Sequence, residues 1–274
     1  MTVAIAAGTR VAHRPRAFVG VRGPDAEDYL QRMVSNDVAA LAPGESCEAL
    51  LLTPKARVIA PMRVLRRAPD DFLLLTEPEL GERLRDELIR MRFAAKLEVE
   101  PEEHSSYLLL GSPEGGVPNE DYGVPAVEVL DAPPRDDLPV LADEELERLR
   151  IEAGTPRFGR EIDERVLPAE AGLVERAVSL TKGCFPGQEP IARLHYRGHA
   201  NRGLRVLALE TTDLPAPDSE VVHEGKAVGR VTSAAVADGR VVALAYVRAK
   251  VHADAELEVG RAKARSLHLS PGRP

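Results

Sequence analysis

Asp238-Gly239, set between apolar runs at 227–237 and 240–249, is the feature that most constrains this chain. Two adjacent residues that tolerate positive φ give the tight turn whose twist matches paired strands, so the flanking runs are expected to form a hairpin. Further strands are expected at 203–210 and 219–223, then a turn at Glu224-Gly225-Lys226, then a last pair near 255–259 and 261–269. Five or six short antiparallel strands in about 70 residues leave exposed edges unless they close, so residues 202–274 are read as a small β-barrel.

Residues 1–201 are patterned differently. Residues 24–34 place Tyr29, Leu30, Met33 and Val34 on one helical face, with Pro24 near the start, and 78–92 place Leu80, Leu84, Leu88 and Met91 likewise. Strands are expected at 48–52, 57–65, 72–76, 95–100 and 106–110. Such a mixture predicts an α+β sheet with helices on one face. The Pro- and Asp-dense stretch 131–139 is the best internal linker. A helix from about Asp143 to Ala153 follows, with Asp143 as its cap, Leu146 and Leu149 facing inward and Gly154 as its left-handed stop.

At 274 residues, 44% hydrophobic and 29% charged, the chain has material for a real core. A net charge of −8 argues against direct, sequence-independent nucleic-acid binding, which needs Lys and Arg to displace counterions. Two cysteines, Cys47 and Cys184, cannot make a disulfide framework or a four-thiolate cluster. The N-terminal apolar run is too short for a signal peptide, and no stretch approaches the roughly 20 apolar residues of a membrane helix. A cytoplasmic monomer that neither enters membranes nor holds a stable metal is expected.

One segment reverses the overall charge. Residues 182–205 carry Lys182, Arg193, Arg197, Arg202 and Arg205 against Glu189 alone, with His195 and His199 as further donors. Two readings stand: an anion site, or a solvated basic face balanced by an acidic surface. Cys184 lies between Gly183 and Phe185-Pro186-Gly187, which implies a tightly bent loop. Nearby cations would favour its thiolate, while a small residue that merely fits the turn is the alternative. Cys47 precedes a strand and reads as a buried structural cysteine. His195 and His199 would meet on one helix face, but Gly198 argues against helix there, and no histidine pair has convincing zinc spacing.

The run Lys182-Gly183-Cys184-Phe185-Pro186-Gly187-Gln188-Glu189 resembles the K-G-C-Y-x-G-Q-E signature of the YgfZ family. The likeness extends upstream to Leu149-Arg150-Ile151-Glu152-Ala153-Gly154 with Pro156 and Phe158-Gly159, and to Leu167-Pro168-Ala169-Glu170. Arg193, Gly198 and Arg202 match the downstream pattern. Near the start, Val21-Arg22-Gly23, Tyr29-Leu30-Gln31 and Ser35-Asn36-Asp37-Val38 do the same.

That resemblance implies the fold of the glycine-cleavage T-protein: a folate-binding core with ferredoxin-like parts around a central channel, then a C-terminal antiparallel β-barrel. It implies tetrahydrofolate or a derivative as cofactor, with Glu152 on the pterin ring and the basic cluster on the anionic glutamyl tail. Asn36, Asp37, Gln188, Glu189, Arg193, Arg197 and Arg202 are carried over as folate-contacting positions, and Lys182 and Cys184 as the catalytic pair. A helix-end surface glutamate is the plain alternative for Glu152. The implied role is an accessory factor whose partners are iron–sulfur enzymes or their assembly proteins, acting on tRNA modification indirectly. Two departures turn the reading away from an aminomethyltransferase: Ala60-Pro61 stands where the T-proteins carry an aspartate, and those proteins lack the cysteine. Phe185 replaces the family's usual tyrosine. Aminomethyl transfer to tetrahydrofolate, and a non-catalytic folate-binding scaffold, are the alternatives.

Overall fold

The computed structural model describes residues 8–112, 115–132 and 137–269, the side chains of 268 and 269 excepted. Residues 133–136 of the expected linker lie outside the described residues. Five strands, β2 (Ala17–Arg22), β3 (Ser46–Leu52), β4 (Val58–Ala68), β5 (Asp71–Thr76) and β6 (Glu98–Glu102), form an antiparallel sheet in the order β3-β4-β5-β2-β6. Helices α1 (Ala26–Met33) and α2 (Gly81–Met91) share its core. On α1 the buried Ala26, Tyr29, Leu30 and Met33 recur at helical spacing, and on α2 Leu84 and Leu88 are fully covered. Pro61 sits inside β4, opposite Leu50, just beyond the point where pairing with β5 stops. Its missing N–H therefore costs little.

A second antiparallel sheet joins β1 (Arg10–His13), β7 (Ser106–Leu110), β8 (Val117–Asn119) and β9 (Ala126–Leu130) in the order β1-β7-β9-β8. Helix α3 (Asp143–Glu152) packs Leu146 and Leu149 against Leu108 and Leu110 of this sheet. Ala142, not Asp143, occupies its N-cap, and no side chain caps the first turn. Asp143 instead adds negative charge to that turn, alongside Glu144 and Glu145, which the helix dipole favours. Gly154 has φ +75, the expected left-handed stop.

The C-terminal strands close as expected. Strands β10 (Arg202–Leu209), β11 (Glu220–His223), β12 (Lys226–Ala237), β13 (Arg240–Arg248), β14 (Leu257–Val259) and β15 (Ala262–Leu269) form a barrel sealed by pairing of β10 with β15. Both turn pairs, Glu224-Gly225 and Asp238-Gly239, have positive φ throughout. Along β13 the side chains alternate between two cores. Val241, Ala243, Ala245 and Val247 fill the barrel, whereas Val242, Leu244 and Tyr246 pack with Leu50, Ile151 and Phe185. That shared second core binds the barrel to the rest of the chain.

Three local expectations need correction. Strand β6 begins at Glu98 rather than at 95, because residues 92–97 make a turn in which Phe93 adopts φ +48. Residues 188–197 form a true helix, α5, with Pro190 tolerated in its first turn. Gly198 lies beyond its end, so His195 and His199 do not share a helical face. Cys47 is half-buried at the edge of the first core rather than fully enclosed.

Candidate functional site

Where the two sheets meet α3, they leave a cavity of about 530 Å³. Its α3 wall follows the helical period, with Asp143, Leu146, Glu147 and Arg150 on one face. Strands β3 and β4 contribute Glu48, Pro61, Met62 and Arg63, and the turn before β9 contributes Asp121 and Tyr122. The segment after α3 adds Thr155 to Phe158, Arg160 and Ile162, and Arg176 comes from the short helix α4 (Val174–Ala177). Seven arginines and six carboxylates line the space.

Most of these charges are paired. Arg14 grips Glu77 with two hydrogen bonds, at 2.7 and 3.1 Å, and Arg16 grips the fully buried Glu128 at 2.8 and 3.0 Å. Arg176 bridges Glu48, at 2.6 Å, and Asp121, at 2.7 Å, while Arg63 donates to the same Glu48 oxygen, Oε1, at 2.9 Å. Burial alone would raise the Glu77 and Asp121 carboxyls. The arginines around them, Arg14 for Glu77 and Arg63 with Arg176 for Asp121, instead hold both below the usual carboxylate range.

Two donors are left over. Nε of Arg14 and Nε of Arg63 are buried without any hydrogen-bond partner, though both residues line the cavity. Buried N–H groups seldom stay unpaired, so the wall is short of acceptors. A flat ligand bearing carbonyl or ring-nitrogen acceptors fits that deficit, with Met62, Leu146, Tyr122 and Phe158 offering apolar surface.

None of the ten residues singled out from sequence lines this cavity. Glu152 stands five residues after Glu147, which turns it well away around the helix, and its carboxylate pairs with Arg148 at 2.7 Å. Glu147 and Arg150 are the α3 residues that face the space. Asn36 and Asp37 make a turn after α1: Asn36 Nδ2 donates to Glu48 O at 2.7 Å, and Asp37 Oδ1 accepts from Gln31 at 2.9 Å.

The Lys182–Glu189 loop joins that turn. Lys182 Nζ donates to the carbonyls of Val34 and Asn36, and it lies over the ring of buried Phe185. Cys184, two residues on, is exposed. Gln188 and Glu189 open α5, and Arg193 and Arg197 project from it, exposed. Arg202 pairs with Glu170 at 3.2 Å and stacks over Tyr246. It lines a second groove of about 470 Å³ with His195, His199 and Arg205. The basic cluster is thus dispersed: Lys182 and Arg205 are consumed by backbone carbonyls, and Arg202 by an ion pair.

The buried wall of arginines was missed because its members are scattered, from Arg14 to Arg176, with no local motif. Among the described residues, no group of three or more His, Cys, Asp or Glu could hold a metal ion, and no helix is long and apolar enough to cross a membrane.

No family model matches the chain. An uncharacterized protein of Haemophilus influenzae is 28% identical over 232 residues, covering 81% of this chain and 82% of that one. The tRNA-modifying protein YgfZ of Edwardsiella ictaluri is 28% identical over 297 aligned positions, covering 92% and 88%. Among solved structures, the glycine cleavage system aminomethyltransferase T of Bartonella henselae superposes with a TM-score of 0.80 over 95% of this chain and 85% of that one, at 21% identity. YgfZ proteins align over nearly the whole chain, on a T-protein architecture: the chain is similar to the YgfZ family and shares the T-protein fold.

Proposed function

We propose that this protein is a tetrahydrofolate-binding accessory factor for the assembly or repair of iron–sulfur enzymes, with Cys184 as its working thiol. The central cavity carries the reading. It has the volume of a small-molecule site, apolar surface for a planar ring, and two buried N–H donors that need acceptors. Relatives named tRNA-modifying proteins fit this role through modifying enzymes that themselves depend on clusters. Because one chain offers one exposed thiol, contact with a cluster or client requires a second sulfur donor from outside it.

Calorimetric titration of the purified protein with tetrahydrofolate tests the cavity; absence of binding would remove the folate from the proposal. A Cys184→Ala variant is expected to fold normally yet fail to restore cluster-enzyme activity in cells lacking the protein. Full rescue by that variant would remove the thiol.

The T-protein fold keeps aminomethyl transfer to tetrahydrofolate as the second reading. Against it, Pro61 occupies the β4 wall, and Glu48, Glu77 and Asp121 are committed to arginines. Formation of methylenetetrahydrofolate from an aminomethylated lipoyl carrier would overturn that ranking.

A further inference from the structure

Within the cavity wall, the arginines divide into two kinds. Arg14, Arg16, Arg63, Arg150 and Arg176 are each held by a carboxylate within 3.0 Å. Arg157 and Arg160 are exposed; among the described residues Arg157 has only a distant contact to Glu147, at 3.9 Å, and Arg160 has no ion pair. Uncommitted positive charge is therefore confined to one stretch of the rim. We propose that Arg157 and Arg160 form the subsite for the carboxylate-bearing tail of the ligand in the central cavity. This rests on the folate reading above and assigns the tail to a different segment from the 193–202 arginines, of which Arg193 and Arg197 lie away from the cavity.

The turn that presents the two guanidinium groups is fixed. The carbonyl of Arg157 accepts from the backbone N–H groups of Arg160, Glu161 and Ile162, and Gly159 takes φ +78 within the turn. Glu161, whose side chain is fully buried, accepts from the N–H of Arg157 at 3.0 Å, from Arg150 at 3.0 Å and from Ser233 Oγ at 2.6 Å. Tyr246 donates to its carbonyl at 2.9 Å. The turn is thus pinned at once to α3 and to the barrel, so its backbone adds little ordering cost to binding.

The rim is also polarised. Asp143 and Glu144 face the same cavity from the first turn of α3, whereas Arg157 and Arg160 come from the turn after its end, Arg157 reaching back to within 3.9 Å of Glu147. An anionic tail is repelled by the first turn of α3 and attracted by the turn that follows the helix. That gives the ligand a direction: acceptor-bearing ring against Arg14 and Arg63, carboxylates out past Arg157.

Equilibrium binding of tetrahydropteroate, tetrahydrofolate and its triglutamate to the intact protein tests this. Wild type is expected to bind the triglutamate about tenfold more tightly than tetrahydropteroate, with the difference shrinking as salt rises. The double variant Arg157→Gln/Arg160→Gln should lose that preference while binding tetrahydropteroate unchanged, and Arg157→Lys/Arg160→Lys should keep part of it. An unchanged preference in the Gln variant, or its loss in Arg193→Gln/Arg197→Gln instead, overturns the assignment. Equal weakening of all three ligands does so too. If wild type binds none of them, the folate reading itself fails. Both arginines are exposed, and a melting curve for each variant confirms that it is folded.

Discussion

The ammonium of Lys182 lies 2.7 Å from the carbonyl oxygen of Val34, 148 positions earlier, and so ties the loop that carries Cys184 to the end of α1. Burial lowers the Lys182 pKa to about 8, against the opposing pull of Asp37 and Cys47. A neutral amine still has two N–H donors for the two carbonyls, so the tie survives deprotonation. The folded value lies below the unfolded 10.5, so unfolding takes up a proton between them and stability rises with pH over that interval. Lys182→Met is expected to cost about 1–2 kcal/mol at pH 7 through the two lost bonds. It should also lack the gain in stability between about pH 8 and 10.5. Urea unfolding at several pH values reads both effects: equal stabilities at pH 7 would refute the tie, and parallel curves between pH 8 and 10.5 would refute the lowered pKa.

Glu161 is the common anchor of α3, the rim turn and the barrel. Its neighbour Arg150 is 6% exposed and depends on Glu161 and Glu147 for compensation. Glu161→Ala is expected to cost about 3–5 kcal/mol, since it strands a buried charge and leaves Ser233 and the Arg157 N–H without their acceptor. Glu161→Gln should cost less, as its amide oxygen still accepts. Chemical denaturation giving under about 1 kcal/mol for the alanine variant would show that the network is not holding these parts together.

What could be read in advance follows from how local each signal is. Asp238-Gly239 announces its hairpin within two residues, and the β12–β13 pair indeed brackets it at Ala237 and Arg240. The buried faces of α1 and α2 were legible for the same reason. Strand β2 was not, although it lies inside the first sheet between β5 and β6, because Gly20 and flanking arginines break its apolar pattern. The cavity was beyond reach. Residues such as Arg14 and Glu77, or Arg176 and Glu48, are assembled only by tertiary folding, and each reads alone as an ordinary surface charge. Glu152 shows the converse: the motif around it was legible, but the helical phase turns its carboxylate toward Arg148.

Acid should destabilise the protein through the cavity wall. The two-point grip of Arg14, with Arg16 at 3.8 Å, outweighs burial and keeps the Glu77 carboxyl below its ordinary 4.5. Such a group stabilises the fold fully above the unfolded value, and that contribution is lost as pH falls through the folded one. Unfolding midpoints are therefore expected to drop steadily below about pH 4.5. Glu77→Gln should flatten that limb, yet lower stability at pH 7 by about 3 kcal/mol because buried Arg14 loses its partner. A Gln variant with the wild-type acid limb would exclude Glu77 as the titrating group.

The two glycines that flank Cys184 should respond in opposite ways to alanine. Gly187 has φ +84, and a Cβ there would stand 2.8 Å from the Thr53 carbonyl oxygen and 2.9 Å from the Ala56 Cα. Both neighbours are backbone atoms, so no side chain can swing aside. Left-handed strain of roughly 1–2 kcal/mol adds to that clash, and Gly187→Ala is expected to lose about 3 kcal/mol in all. The displacement would fall on the start of α5, directly after the cysteine loop. Gly183 meets no atom within 4 Å, so Gly183→Ala should leave the melting temperature nearly unchanged. Equal losses at both positions would mean that the loop tolerates no side chain for some reason other than this turn and its contact with Thr53–Ala56.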